Sequence, residues 1–456
     1  MADSFSALVI GAGISGLACA YVLRKSGVDA HLLEASPRAG GVIRSVRQDG
    51  FLLELGPQSF GGTAPLLQFC RELGIASQLE YAPERAPRFV LIDGALRPVP
   101  LNPPAFFLSS FVGIGTKLTI LREMFGRTTP PAAEESISAF IRRKFSPDLL
   151  DKLVGPFVSG IYAGDPEKLS LSAAFPQLHE AEASAGSVLR GMIRAARRDK
   201  KAGQPRRELL SFRDGNETLP RTLAEKLGTA LHLGVRVSTI HCSAPSQFRV
   251  TTSTDGSERV FATQNLILAT PADDAATLLS ELTRDFQPPL TEIEYAPVAV
   301  ISLGYRKSDF GHSLEGFGFL VPRSAGLQIL GSVWNSSLFP SRAPDGQVLL
   351  TTFVGGATNP AVARLSPNQL VALVHRELTP ILKIAQPPLF SQATVYERAI
   401  PQYNLVHANR MKTLHTTTAR FPGLFFAGNY LRGPAIASCI ERAQEVASQV
   451  LSRLNP

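Results

Sequence analysis

The segment Ser6-Ala7-Leu8-Val9-Ile10 runs directly into Gly11-Ala12-Gly13-Ile14-Ser15-Gly16, and this junction constrains the fold more than any other stretch. The apolar run Ser6–Ile10 reads as a buried strand. Ile14–Ser26 reads as a helix, with Gly27 suited to its C-terminal stop. Gly11 permits a tight turn, Gly13 lets backbone N–H groups approach a pyrophosphate, and Gly16 lets the helix pack against the strand. The helix N-terminus favours the phosphate charge. A lone G-x-G-x-x-G is a weak signal, because glycine-rich turns are common. Here it follows a strand, opens a helix and precedes Ala30–Glu34, a second strand whose terminal acid can accept ribose hydroxyls. The expected dinucleotide contacts at this end are Gly11, Ala12, Gly13, Ile14, Ser15, Gly16, Glu34 and Ala35.

The chain has 456 residues, more than one typical domain, and is 44% hydrophobic and 18% charged, which excludes a disordered chain. A mean hydropathy of +0.07 fits a large core, an apolar cavity or a membrane-facing patch. Cys19, Cys70, Cys242 and Cys439 lie far apart without a C-x-x-C, which argues against a disulfide framework or zinc site and fits a reducing, cytoplasmic setting. The histidines show no metal-ligand spacing, so no metal is expected. A strand beginning by Ser6 leaves no room for a signal or transit peptide. The apolar stretch Leu96–Gly115 is broken by Pro98, Pro100, Pro103 and Pro104, making it a poor transmembrane helix. Net charge is +8, yet no nucleic-acid module is present; anionic small substrates or an acidic membrane surface are the better partners.

Beyond residue 95 the chain turns Pro-rich, then helical and apolar, and ends this region in a basic run from Arg190 to Arg207. Arg190, Arg194, Arg197 and Arg198 fall on one helix face. That is an ordinary solvated face or, next to the apolar Phe106–Phe125 region, a peripheral membrane anchor. Alternating runs such as VAVISLGY and VLLTTFVGG predict a mainly antiparallel sheet between Pro271 and Tyr403. Discontinuous domains follow. Residues 1–86, 205–272 and 404–456 form a dinucleotide domain, 95–204 a helical membrane-associated domain, and 87–94 with 273–403 a substrate-binding domain.

Arg38-Ala39-Gly40-Gly41-Val42-Ile43 resembles the second fingerprint of the glutathione-reductase-like FAD oxidases, including the amine oxidases, and Gly56-Pro57-Gln58-Ser59 continues the pattern. Phe425-Phe426-Ala427-Gly428-Asn429 and Gly433-Pro434-Ala435-Ile436 resemble the family's late strand, turn and final helix. The resemblance implies an α/β fold: a Rossmann FAD-binding domain, a mixed α+β substrate domain and a helical membrane-facing domain. It adds Gly41, Val42, Gly56, Pro57, Gln58, Ser59, Val237, Asn429, Pro434, Ala435 and Ile436 to the FAD contacts. A helix N-terminus at Ile436 would favour negative charge on the flavin ring. No cysteine lies between Gly428 and Ile436, which implies non-covalent FAD.

The stretch PFVSGIYAGDPEKLSLSAAFP (Pro156–Pro176) is similar to the oxygen-dependent protoporphyrinogen oxidase family. So are Ala86–Phe89, FRDGNETLP (Phe212–Pro220), Gly316–Pro322 and Thr352–Gly356. The resemblance spans nearly the whole chain. It implies a porphyrinogen substrate that loses six electrons in three two-electron rounds, with FAD and dioxygen as acceptors and hydrogen peroxide as by-product. It places Arg88 on a substrate propionate; Phe317, Leu320 and Phe353, with Phe319 beside them, as an apolar clamp; and Gly160 and Gly164 close to the macrocycle. No protein side chain is assigned as a general base. Gln58 stands where plant members carry Asn, which keeps an amide. A homodimer is compatible with this reading. An apolar clamp with one placed arginine favours protoporphyrinogen IX over the four-propionate coproporphyrinogen III. Amine oxidation and carotenoid desaturation are remoter, since Val298–Tyr305 offers no flavin-side lysine.

Overall fold

A computed structural model describes residues 3–100, 102–201, 208–254 and 257–455. Arg206 and Arg207, the end of the basic run, lie outside them. A five-stranded, wholly parallel sheet has the order Leu231–Leu233, Ala30–Glu34, Ala7–Ile10, Leu266–Leu268, Leu424–Phe426. Its strands are short and apolar because both faces are covered. Ala7 and Val9 face a core with helices Ile14–Lys25, Ala64–Leu73, Thr218–Leu227 and Ile436–Leu454. Leu8 and Ile10 face the opposite core, where Ile240, Phe248, Val250 and Phe261 enter from a four-stranded sheet. Period-two alternation thus divides one strand between two cores.

The N-terminal elements fall within a residue of expectation. The strand begins at Ala7, and the helix ends at Lys25 with Ser26 as its cap and Gly27 at φ +84°. A seven-stranded sheet has the order Phe390–Pro401, Tyr295–Arg306, Gln347–Gly355, Ile329–Trp334, Gly318–Leu320, Arg88–Ile92, Ala95–Pro98. It is antiparallel except where Gly318–Leu320 runs parallel to Arg88–Ile92. Helix Pro367–Leu382, opened by a Ser366–Gln369 capping box, packs on one face over Leu91, Ile301, Phe319, Trp334 and Val354.

The region from Pro103 to Lys201 is helical, including Pro103–Leu108, Ile114–Phe125, Ile137–Lys144, Gly155–Tyr162 and Val188–Lys201. A buried ionic network holds it together. Lys144 lies 3.1 Å from Glu123 and 3.2 Å from Glu182, and Arg143 pairs with Glu182 and Glu135. Glu123 also accepts from the N–H of Val188 at 2.7 Å and the Ser187 hydroxyl at 3.0 Å, and so caps helix Val188–Lys201. That geometry corrects the idea of one uniform basic face. Arg190 turns inward and donates to the carbonyls of Met124, Gly126 and Ala185, while Arg194, Arg197 and Arg198 are exposed. Among the described residues no helix is long and apolar enough to cross a membrane.

Candidate active site

The strand Ala7–Ile10 ends at Gly11, whose φ of +100° suits glycine and whose missing side chain leaves room for the Ala269 carbonyl. A Cβ on Gly16 would lie 1.9 Å from the Gly11 carbonyl oxygen, so only glycine lets the helix sit this close to the turn. At Gly13, by contrast, a Cβ would meet nothing within 4 Å. It would project into open space, where Gly13, Ile14 and Ser15 line a cavity of about 550 Å³. Cofactor sites typically span ~300–1,000 Å³.

The second strand delivers Glu34 and Ala35 to the same cavity. Glu34 accepts from the Ala12 N–H at 2.7 Å and from the Ser36 N–H and hydroxyl at 2.8 and 2.7 Å, which fixes its carboxylate at the cavity wall. Arg38, to which sequence reasoning gave no role, donates to the carbonyls of Ala39, Gly41 and Ile43 and so shapes the loop that carries Gly41 and Val42 into the lining. Val237 lines the far end, where a bulge between Val237 and Thr239 interrupts the ladder with Gln247–Thr254. Asn429, Pro434 and Ile436 line it from the C-terminal unit, with Pro57 beside them. Burial pushes the Cys439 thiol up to about 11, so this lining residue stays protonated and a poor nucleophile.

Six expected contacts stand outside the lining. Ala12 is fully buried behind the turn, Gly16 lies against the strand, and Ala435 caps helix Ile436–Leu454. Gly56, Gln58 and Ser59 sit behind Pro57. Gln58 is buried; its amide nitrogen donates to the carbonyls of Glu54 at 2.9 Å and Gly56 at 2.8 Å, and its oxygen accepts from Asn335 at 2.8 Å. Asn216 donates to the Pro57 carbonyl at 2.7 Å and, through its backbone, to Glu54 at 2.8 Å. Glu54 in turn lies 3.2 Å from the buried Arg342. This support beneath Pro57 went unread in the sequence; its one visible sign was an acid closing the apolar strand Phe51–Glu54.

The residues fit FAD. Gly13 leaves free the volume a side chain would fill, a helix N-terminus opens there, and Thr270, another lining residue, has a buried hydroxyl without a partner. Gly11, Gly13, Glu34, Val237, Asn429, Pro434 and Ile436 would hold the cofactor.

The other expected residues meet on the large sheet. Cross-strand partners run Val90, Leu320, Gly331, Phe353, Val300 in one row, so their side-chain positions share one face. Arg88, two residues before Val90 and paired with Gly318, is on the same face. It is exposed, and its guanidinium carbon lies 5.4 Å from the Phe317 ring centroid. Gly160 gives Leu320 its space: a Cβ there would come within 2.8 Å of Leu320 Cδ2. Gly164 is packed against Leu169 and Gln402: a Cβ there would come within 2.6 Å of Leu169 Cδ1 and 2.7 Å of Gln402 Oε1. Phe319 is a correction. It alternates to the other face and is 3% exposed in the core beside Trp334, away from Leu320 and Phe353.

A parallel sheet with a glycine turn and an acid-ended second strand, joined to a large antiparallel sheet, is the architecture of an FAD-dependent oxidoreductase of the amine-oxidase kind. Residues 14–451 match the family described as flavin containing amine oxidoreductase. The chloroplastic protoporphyrinogen oxidase of Nicotiana tabacum is 36% identical over 100% of this chain and 87% of its own length. The coproporphyrinogen III oxidase of Bacillus subtilis is 29% identical over 98% of each chain. A crystal structure from Exiguobacterium sp. 255-15, provisionally described as a protoporphyrinogen oxidase, superposes with a TM-score of 0.82 at 25% identity and covers 99% of this chain and 100% of that one. The chain belongs to the flavin-containing amine oxidoreductase family and, within it, to the protoporphyrinogen oxidases.

Proposed function

We propose that the protein oxidises protoporphyrinogen IX to protoporphyrin IX, with non-covalent FAD and dioxygen as acceptors. The observation that carries this reading is the sheet face on which Arg88 stands beside the apolar row Val90, Leu320, Phe353 and Val300, with Arg97 paired to Val90 at its edge. A largely apolar tetrapyrrole suits that row, with Arg88 as the partner for a propionate. FAD, when bound, supplies a two-electron acceptor that dioxygen regenerates with release of hydrogen peroxide. The chain's own part is positioning. Arg88 holds a propionate in a bidentate fork, Phe317 supports the guanidinium, and Leu320 and Phe353 exclude water from the ring. No side chain need act as general base.

The domain division follows. Residues 1–86, 205–272 and 404–456 bind FAD, 87–94 and 273–403 bind substrate, and 95–204 face a membrane. Support for the membrane surface comes from Leu108 and Phe125, 88% and 78% exposed, with Ile114 and Leu118 between them and three exposed arginines on helix Val188–Lys201. The deciding experiment is product analysis under air with both porphyrinogens. A higher kcat/KM for protoporphyrinogen IX is the expected result; a clear preference for coproporphyrinogen III overturns the substrate and leaves the cofactor and reaction type standing.

A further inference from the structure

A second cavity, about 570 Å³ and so as large as the first, lies between helix His407–Thr418, strand Leu424–Phe426 and helix Ile436–Leu454. Leu414, Phe421, Phe426 and Leu431 give it apolar walls. Arg432, Arg442, Arg453 and His415 also line it, and no Asp or Glu does among the described residues. The three guanidiniums are under-compensated. Glu445 alone pairs with both Arg432 and Arg442, the latter at 3.4 Å, while Arg453 donates to the Ser246 hydroxyl and pairs with no carboxylate among the described residues. Neither the dinucleotide site nor the sheet face uses any of these residues.

Apolar walls with several cations and no acid match one ligand chemistry: an apolar body ending in a carboxylate. The body removes hydrocarbon from water against Phe421 and Leu414, and the arginine forks meet the carboxylate bidentately. We propose that this cavity is a binding site for an amphipathic carboxylate. The site shares a wall with the FAD cavity. Gly428, Asn429, Pro434 and Ile436 line one cavity, and Leu424, Phe426, Leu431 and Arg432 of the same strand–turn–helix unit line the other. A ligand that orders this unit therefore alters the surroundings of the cofactor, and the flavin absorbance reports its binding. Long-chain fatty acids and carboxylated tetrapyrroles both carry the required chemistry.

The test is titration of the FAD-loaded protein with laurate, dodecanol and dodecyltrimethylammonium, read by calorimetry and by the flavin difference spectrum. Laurate binds saturably near one per chain, and the other two bind about tenfold more weakly or worse. The double variant Arg432→Gln/Arg453→Gln loses about tenfold or more in laurate affinity. It keeps the wild-type Tm, FAD content and basal activity; if it fails to fold, Arg453→Gln alone is measured. Arg88→Ala leaves laurate binding unchanged. Equal binding of dodecanol, unchanged affinity in the arginine variants, or loss of binding in Arg88→Ala overturns the proposal. Displacement of laurate by protoporphyrin IX in the Arg88→Ala protein assigns the site to tetrapyrroles. Displacement by palmitate alone assigns it to lipids. Either outcome supports the site.

Discussion

The Arg88 guanidinium sits over the Phe317 ring, 5.4 Å from its centroid, because Phe317 donates its N–H to the Pro87 carbonyl at 2.8 Å and so enters the sheet beside Arg88. An aromatic face beneath a cation lowers the cost of holding it ready for an anion. Arg88→Ala should raise KM for the porphyrinogen with FAD content unchanged. The lost charge-assisted pair is worth ~1.5–3 kcal/mol, about tenfold or more. An unchanged KM at matched FAD content would remove Arg88 from the substrate site.

Gly13 and Gly16 should separate cofactor binding from folding. Gly13→Val fills open cavity and should yield soluble, folded protein without flavin; its flavin-to-protein absorbance ratio checks this. Gly16→Val drives a side chain into the Gly11 carbonyl and should reduce soluble yield. Acid precipitation of the wild type should release all flavin. Flavin in the pellet would disprove non-covalent binding.

Membrane attachment should follow charge and apolar area together. Vesicles with anionic lipid should bind the protein more tightly than neutral ones, and salt should loosen it, since exposed charges are screened within ~10 Å at 0.1 M. Phe125→Ser with Leu118→Ser should weaken binding while kcat on detergent-solubilised substrate stays the same. Equal binding to both vesicle types would take Arg194, Arg197 and Arg198 out of the account.

Burial pushes the Glu54 carboxyl up to about 7, from an ordinary 4.5, although Arg342, Ser45 and Asn216 all pull it down. The folded chain thus keeps a proton that the unfolded chain has released. The stability this contributes is full below about 4.5 and lost as pH rises through about 7. The Tm of Glu54→Gln minus that of wild type should therefore grow from about pH 5 to about pH 8. A flat difference would place the ionised carboxylate comfortably in the fold.

The backbone devices were legible in the sequence because glycine spacing and strand periodicity are local. Gly11, Gly13 and Glu34 needed no partner elsewhere to be recognised, whereas Val237 came only from the family resemblance. The antiparallel sheet could be read from alternation, but its register could not, and register sends Phe319 into the core and Leu320 to the opposite face. Arg190 had the spacing of a surface charge. Only the approach of helix Ile114–Phe125 turned it to the carbonyls of Met124 and Gly126. The support beneath Pro57 joins residues 54, 58, 216, 335 and 342 and has no local signature beyond the acid that closes strand Phe51–Glu54.

The order of strands in the parallel sheet has a consequence for biogenesis. Its central strand, Ala7–Ile10, and its edge strand, Leu424–Phe426, come from segments far apart in the sequence. The cavity proposed for FAD is lined by Ile436 on one side and Gly13 on the other. A ribosome-bound chain therefore carries an unfinished nucleotide domain until Ile436 has emerged, with apolar strand edges open to wrong pairing. FAD loading then waits for helix Ile436–Leu454, and loss of that helix should cost the cofactor before it costs the large antiparallel sheet.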